Sequence, residues 1–158
     1  MTGNKIALKK EQVQLLEKAA VLFEKGSMQP AVAKILALLL VSDNPELSFD
    51  EIRETLEISK SAASVAINQL LSSNRIEYKT RLGDRKRYFR SRIMSWQDDM
   101  KEQTEGLKLA IEILQQIKDQ RPAETVEFNA SLEKIIAFMN FMVEEMPDLY
   151  KKFEMQYK

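Results

Sequence analysis

The chain has 158 residues, 44% hydrophobic and 30% charged, enough for one packed domain or a small domain with an appendage. Its 24 basic and 24 acidic residues cancel, which excludes a uniformly basic coat and makes the distribution of charge the informative quantity. It contains no Cys and no His, so disulfides, thiolate metal sites, a cysteine nucleophile and the commonest general base and zinc ligand are all excluded. A non-enzyme without cofactor or metal is expected. Met1-Thr2-Gly3-Asn4-Lys5-Ile6 turns charged too early for a signal peptide. The most apolar stretch, Ala31 to Val41, carries Lys34 and falls short of the ~20 residues of a membrane span. Both features predict a soluble, cytoplasmic protein with no membrane partner.

In chain order, Val13, Leu16, Ala20 and Phe23 recur at three- and four-residue steps, predicting an amphipathic helix from Lys9 to Lys25 that ends at Gly26. Pro30 suits the first turn of a second helix, whose all-round apolar stretch to Val41 predicts burial. Ser48-Phe49-Asp50-Glu51 forms a capping box for a short helix through Leu56. Ser59 caps another helix, Lys60 to about Ser73, across a tight Glu57-Ile58 connection; this is helix-turn-helix spacing. Asn74 sits where a left-handed residue ends a helix. The period then changes to two: Ile76 to Thr80, a Gly83-Asp84 turn, and Arg85 to Phe89 predict a β-hairpin.

Beyond Arg92 a long helix is predicted from Ile93 to Asp119, with Leu107, Ala110, Leu114 and Ile117 as its stripe and Gly106 a weak point. Arg121-Pro122 breaks it. The last helix carries Phe128, Leu132, Ile135, Met139, Met142 and Met146 at heptad-like steps, with Phe138, Phe141 and Val143 widening the apolar face. A second copy of the chain is the simplest partner for such a face.

The expected fold is mainly α: a winged helix-turn-helix with a two-stranded β-hairpin wing and long dimerisation helices. Residues 26–92 would form the DNA-binding domain, and 1–25 with 93–158 a helical dimerisation platform. Charge follows the same division. Residues 59–92 hold the cations Lys60, Arg75, Lys79, Arg81, Arg85, Lys86, Arg87, Arg90 and Arg92 against only Glu77 and Asp84, a net +7. The stretch after residue 92 is acidic. A concentrated basic patch attracts a polyanion through phosphate neutralisation and counterion release.

The runs Leu38-Leu39-Leu40-Val41-Ser42-Asp43, Leu47-Ser48-Phe49-Asp50-Glu51-Ile52, Ile58-Ser59-Lys60-Ser61 and Gly83-Asp84-Arg85-Lys86-Arg87-Tyr88 resemble the MarR superfamily of winged helix-turn-helix regulators, and within it the GbsR-type branch. The resemblance spans about residues 26–92, and its most specific part is the Gly-Asp-Arg-Lys wing tip. It implies an obligate homodimer, two winged domains on a helical dimerisation platform, and binding to pseudo-palindromic double-stranded promoter DNA. The main expectation is a homodimeric DNA-binding regulator that represses a nearby operon from its operator. The alternative, from another class, is a winged-helix interaction module that binds an acidic protein partner.

On the helix from Lys60, the face of Ala63, Ile67, Leu70 and Leu71 should pack inward. The opposite face carries Lys60, Ser61, Ser64, Val65 and Asn68, with Ser64 and Asn68 able to reach base edges in a major groove. Ser59, Lys60 and Ser61 are placed for phosphates at the helix start. From the hairpin, Lys79, Arg81, Arg85, Lys86 and Arg87 complete the expected nucleic-acid contacts. Arg85 resembles the wing arginine that this family inserts into the minor groove. Asp84 would hold Arg85 or close the turn, and alternation leaves open which of Lys86 and Arg87 faces the DNA.

Other motifs have simpler readings. Ser131-Leu132-Glu133-Lys134 and Ser42-Asp43-Asn44 match penicillin-binding elements in reversed order and without the third element. Asn129-Ala130-Ser131 is a glycosylation sequon with no secretory signal; Asp98, Asp99 and Glu102 could gather a hard cation through helical spacing, but three carboxylates on a polar helix are usually just solvated. Trp96 and the last helix's Phe128, Phe138, Phe141, Met139, Met142 and Met146 could line a small-molecule effector site between platform and winged domain. Their heptad spacing favours a dimer interface instead.

Overall fold

In the computed structural model, which describes residues 4–157, the chain divides between Ser95 and Trp96 into two units. Met1, Thr2 and Gly3, part of the N-terminal reading, lie outside the described residues. The first unit contains α1 (Lys10–Lys25), α2 (Pro30–Val41), β1 (Leu47–Ser48), α3 (Phe49–Thr55), α4 (Lys60–Ser72), β2 (Ile76–Thr80) and β3 (Arg87–Ser91), then a 3-10 turn, Arg92–Ser95. The second contains α5 (Trp96–Asp119) and α6 (Val126–Gln156). Among the described residues no helix is long and apolar enough to cross a membrane.

The first unit is built around α2. Its Val32, Ala33, Ile35, Leu36, Ala37, Leu38 and Leu39 are buried, so the helix supplies core on almost every side, and Lys34 is left in solvent. Leu16 and Ala20 of α1, Ile52 of α3, Ala66, Ile67 and Leu70 of α4, Ile76 of β2 and Phe89 of β3 close the cluster. Helix α1, assigned from sequence to the dimerisation platform, thus packs into this core along one side. Its Leu15, Val21 and Leu22 remain exposed.

Strands β2 and β3 pair as an antiparallel hairpin, and β1, not expected from the sequence, joins them to make a three-stranded antiparallel sheet in the order β1-β3-β2. Leu47 pairs with Phe89, and Phe89 in turn with Tyr78. Strand β1 escapes periodicity because it is only two residues long and its second residue, Ser48, is already the cap of α3. A two-residue segment cannot display an alternation.

In the second unit α5 and α6 run antiparallel, joined by Gln120 to Thr125. Asn129 ties this connection together: its amide donates to the Pro122 carbonyl, and its side-chain oxygen accepts from Thr125 and Arg121. Lys118 pairs with Glu133 at 2.8 Å. Helix α5 passes through Gly106 without interruption, and α6 passes through Pro147. The proline removes one backbone donor from α6. Only Leu132 and Ile136 are buried among the described residues of this unit. The expected single seam on α6 is therefore split in two. Leu132 and Ile136 face inward with Met139, Val143 and Met146 half-buried, whereas Phe128, Ile135, Phe138 and Phe141 are exposed. The helix carries two apolar stripes, and periodicity alone selects neither phase.

Candidate nucleic-acid interface

The α3–α4 connection is set by local chemistry. Ser48 Oγ accepts from the Glu51 amide at 3.3 Å while Glu51 accepts from the Ser48 amide at 2.7 Å, so the predicted capping box forms in full. The turn needs a left-handed residue, and Glu57 supplies it at φ 54°. Nothing in the residue type announces this, since glutamate has no special tolerance for that region. Asn74 adopts the expected left-handed conformation after α4, at φ 53°. Ser59 Oγ accepts from the Ala62 amide at 3.1 Å and lies 3.1 Å from Ser61 Oγ, so its hydroxyl serves the start of the helix.

Helix α4 presents two faces. Ala63, Ala66, Ile67 and Leu70 are buried, and Leu71 is half-buried. Lys60, Ser61, Ser64, Val65 and Asn68 all lie in solvent, so the expected outward face is the observed one.

The hairpin has two faces as well, and its register assigns each residue to one of them. Across an antiparallel pair, opposed residues share a face and neighbours alternate. Tyr78, Phe89 and Leu47 are opposed on the side turned toward α4, with Thr80 and Arg87 in the same row. Arg85 and Arg87 line one groove of about 300 Å³ together with Ser64 and Asn68 of α4, floored by Phe49, Ile67, Leu71 and Phe89. The guanidinium of Arg87 stands 4.7 Å from the Tyr78 ring centre, a cation–π contact. Neither Arg85 nor Arg87 has an acidic partner among the described residues. Of the two residues that alternation leaves open, Arg87 accompanies Arg85 beside α4.

Asp84 closes the turn. Its carboxylate accepts from the Lys86 amide at 2.9 Å and from the Tyr88 hydroxyl at 2.7 Å, while Gly83 takes the positive φ of 82°. The Tyr88 hydrogen bond, reinforced by the Lys86 amide, holds the Asp84 carboxyl below the usual aspartate range; the same bond raises the Tyr88 hydroxyl. Arg81 lies 3.8 Å above the Tyr88 ring.

On the face away from α4, Glu46, immediately before β1, meets three cations. Arg81 approaches its carboxylate at 3.3 Å, Arg90 at 3.8 Å and Lys79 at 4.0 Å. Arg90 also pairs with Glu77, the residue opposite it in the register. Lys79 and Arg81, expected among the nucleic-acid contacts, thus differ from Arg85 and Arg87 in having a carboxylate beside them. Glu46 was missed in the sequence because its role depends on β1, the strand that periodicity does not show.

Elsewhere the candidate motifs resolve into structure. Ser42 Oγ accepts from the Asn44 amide and Asn44 Oδ1 from the Glu46 amide, so Ser42-Asp43-Asn44 shapes a loop. Ser131 donates to the Glu127 carbonyl one turn back. No group of three or more potential metal-ligating side chains occurs among the described residues. The aromatic set considered for an effector does not assemble. Trp96 packs edge-on against Phe153 near Met146 and Tyr150, Phe128 lies 3.9 Å beneath Arg121, and Phe138 and Phe141 face solvent.

A mainly helical unit with a small antiparallel sheet, α4 exposed beside a cationic hairpin, is compatible with the winged-helix class. The chain is similar to a solved structure described as the crystal structure of a transcriptional regulator, with a TM-score of 0.70 and 21% identity over 90% of this chain and 99% of that one. This likeness establishes the fold. No family model and no curated protein matches the sequence.

Proposed function

We propose that the protein is a homodimeric winged-helix transcriptional regulator of the MarR type, GbsR-like, that represses a nearby operon by occupying a pseudo-palindromic operator. The observation that carries this reading is the groove in which Ser64 and Asn68 of α4 come together with Arg85 and Arg87 of the hairpin, neither of which meets a carboxylate among the described residues. A helix with small outward side chains can enter a major groove ~12 Å wide, where Asn68 can pair with an adenine edge. Ser61 and Lys60 meet flanking phosphates, and Arg85 at the hairpin tip, with Arg87 behind it, reaches the adjacent minor groove. The described transcriptional regulator with the same fold supports the assignment. The exposed face of α6 supports a dimer, and dimer symmetry would space half-sites by ~34–36 Å or a multiple of it. No catalytic step and no cofactor enter this reading.

Titration with random and genomic duplexes across a salt series tests it. Affinity should fall linearly with salt on logarithmic axes, and selection from fragmented genomic DNA should return a two-fold symmetric site. Absence of duplex binding at low salt, with capture of an acidic protein instead, would replace the regulator with the interaction module.

A further inference from the structure

Resting on the DNA-binding reading, we propose that Glu46 is a built-in charge mask. It occupies Lys79 and Arg81, keeps them off phosphate, and confines polyanion binding to the side of the hairpin that faces α4. The nine cations between residues 59 and 92 are not equivalent. Three of them, Lys79, Arg81 and Arg90, converge on the single carboxylate of Glu46, whose side chain is only 22% exposed. Glu77 opposes Arg90 on the same face, and Asp84 sits at the turn below Arg81, joined to Tyr88. Three carboxylates therefore stand among the cations of that face, whereas Arg85 and Arg87 meet none on the other.

Register makes this arrangement specific to Glu46. Leu47 pairs with Phe89, so the preceding residue falls beside Arg90, in the row that continues to Glu77. From there one carboxylate reaches cations of both β3 and the start of the turn. A cation held this way has already shed part of its own counterion cloud, and it must leave Glu46 before it can neutralise a phosphate. Glu46 also repels a phosphate that approaches the same spot. Lys79 and Arg81 should then contribute much less than the ~0.9 per phosphate contact expected of a free cation to the salt dependence of binding. The mask suppresses sequence-independent affinity without touching the residues placed to read bases.

The test compares the wild-type chain, Glu46→Gln, the pair Lys79→Gln/Arg81→Gln, and all three substitutions together. Each is titrated with salt on a random-sequence 16-base-pair duplex and eluted from immobilised heparin, with thermal melts to establish folding. Glu46→Gln should bind the random duplex severalfold more tightly and steepen the logarithmic salt slope by between one and two, at about 0.9 per released cation. It should also leave heparin at higher salt. Lys79→Gln/Arg81→Gln should change the wild-type slope by less than one, yet remove the whole gain in the Glu46→Gln background. A folded Glu46→Gln chain with unchanged or weaker polyanion binding overturns the mask and makes Glu46 a brace that aims the cations outward. Should Glu46→Gln fail to fold, the paired substitution still decides: a loss of nearly two from the wild-type slope means that both cations were free. Heparin binding without duplex binding would refute the DNA reading alone, and the heparin comparison would still judge the mask.

Discussion

The two units bury their apolar residues in opposite ways. In the first, one helix is enclosed by its neighbours: Ile35 and Leu38 of α2, Leu47 of β1, Ile52 of α3, Leu70 of α4 and Ile76 of β2 are removed from water together. In the second, two long helices enclose little more than Leu132 and Ile136, leaving Leu109, Ile113, Phe128, Ile135, Phe138, Phe141 and Leu149 exposed. Two helices have only one mutual line of contact, so each keeps an uncovered flank. The first unit can therefore specify its own structure, whereas the second presents an apolar face larger than scattered surface residues explain. A second copy of the chain laid on that face would complete a bundle. On the proposed reading, DNA contact and assembly would fall to separate units.

The largest effect should come from breaking the uncovered face. Ile135→Asp with Phe138→Asp places two charges where the proposed partner lies while sparing the inward Leu132 and Ile136. Light scattering should report monomers, and duplex affinity should fall to that of one half-site. A folded double variant that stays fully dimeric would move the interface elsewhere. Next in size is Leu70→Ala, which opens a cavity where α4 meets the core and should cost about 2–5 kcal/mol of unfolding free energy. A denaturant midpoint unchanged from wild type would contradict the enclosed core of the first unit. The same truncation at the exposed Leu109 should leave the unfolding of the first unit unaltered.

How far these differences could be read beforehand depends on what each element needs. Helices α1, α2, α3 and α4 were legible because each announces itself locally, through the step pattern of Leu16 and Ala20, the position of Pro30, and the caps Ser48 and Ser59. The outward face of α4 was legible for the same reason, since its inward residues are all alanine, isoleucine or leucine at helical spacing. Three features were not. Strand β1 is defined only by its partner β3, and with it the role of Glu46 stays hidden. Glu57 is left-handed because the turn between two packed helices requires it, not because glutamate favours it. On α6, Ile135 and Ile136 are chemically alike neighbours, and only the packing of α5 selects Ile136 for burial. Local chemistry is written in the sequence, but the choice between equivalent faces is made by tertiary contact.

A smaller effect separates the two faces of the hairpin. Arg85→Ala removes a cation with no acidic partner and should weaken operator binding by ~1–3 kcal/mol, with preference relaxed at positions flanking each half-site. Asn68→Ala should instead change preference within the half-site. Site selection with both variants measures this. If flanking preference survived the loss of Arg85, the hairpin tip would not be a reader of DNA.

The smallest effect concerns the turn that carries Arg85, and it is set by pH. Asp84 is held below the usual aspartate range chiefly by the Tyr88 hydroxyl and then by the Lys86 amide. Its lowered value means that the folded chain favours the carboxylate. The stabilisation is therefore complete at neutral pH and is lost as pH falls through the folded value. Tyr88 is raised chiefly because its hydroxyl donates to Asp84, which favours the protonated phenol. Its contribution is present below the ordinary tyrosine value and disappears as pH rises through the raised one. The turn should thus stay closed across the neutral range and loosen at both extremes. Tyr88→Phe keeps the ring under Arg81 but deletes the hydroxyl, so both dependences should change together. In a carboxyl-carbon NMR titration, Asp84 should move back toward the ordinary aspartate range in Tyr88→Phe, though not all the way, because the Lys86 amide remains. The two groups are half-buried on a surface hairpin, so the melting temperature at neutral pH should shift only slightly, whereas amide exchange at Lys86 should quicken. An Asp84 titration unaltered by the loss of the hydroxyl would mean that the backbone alone closes the turn.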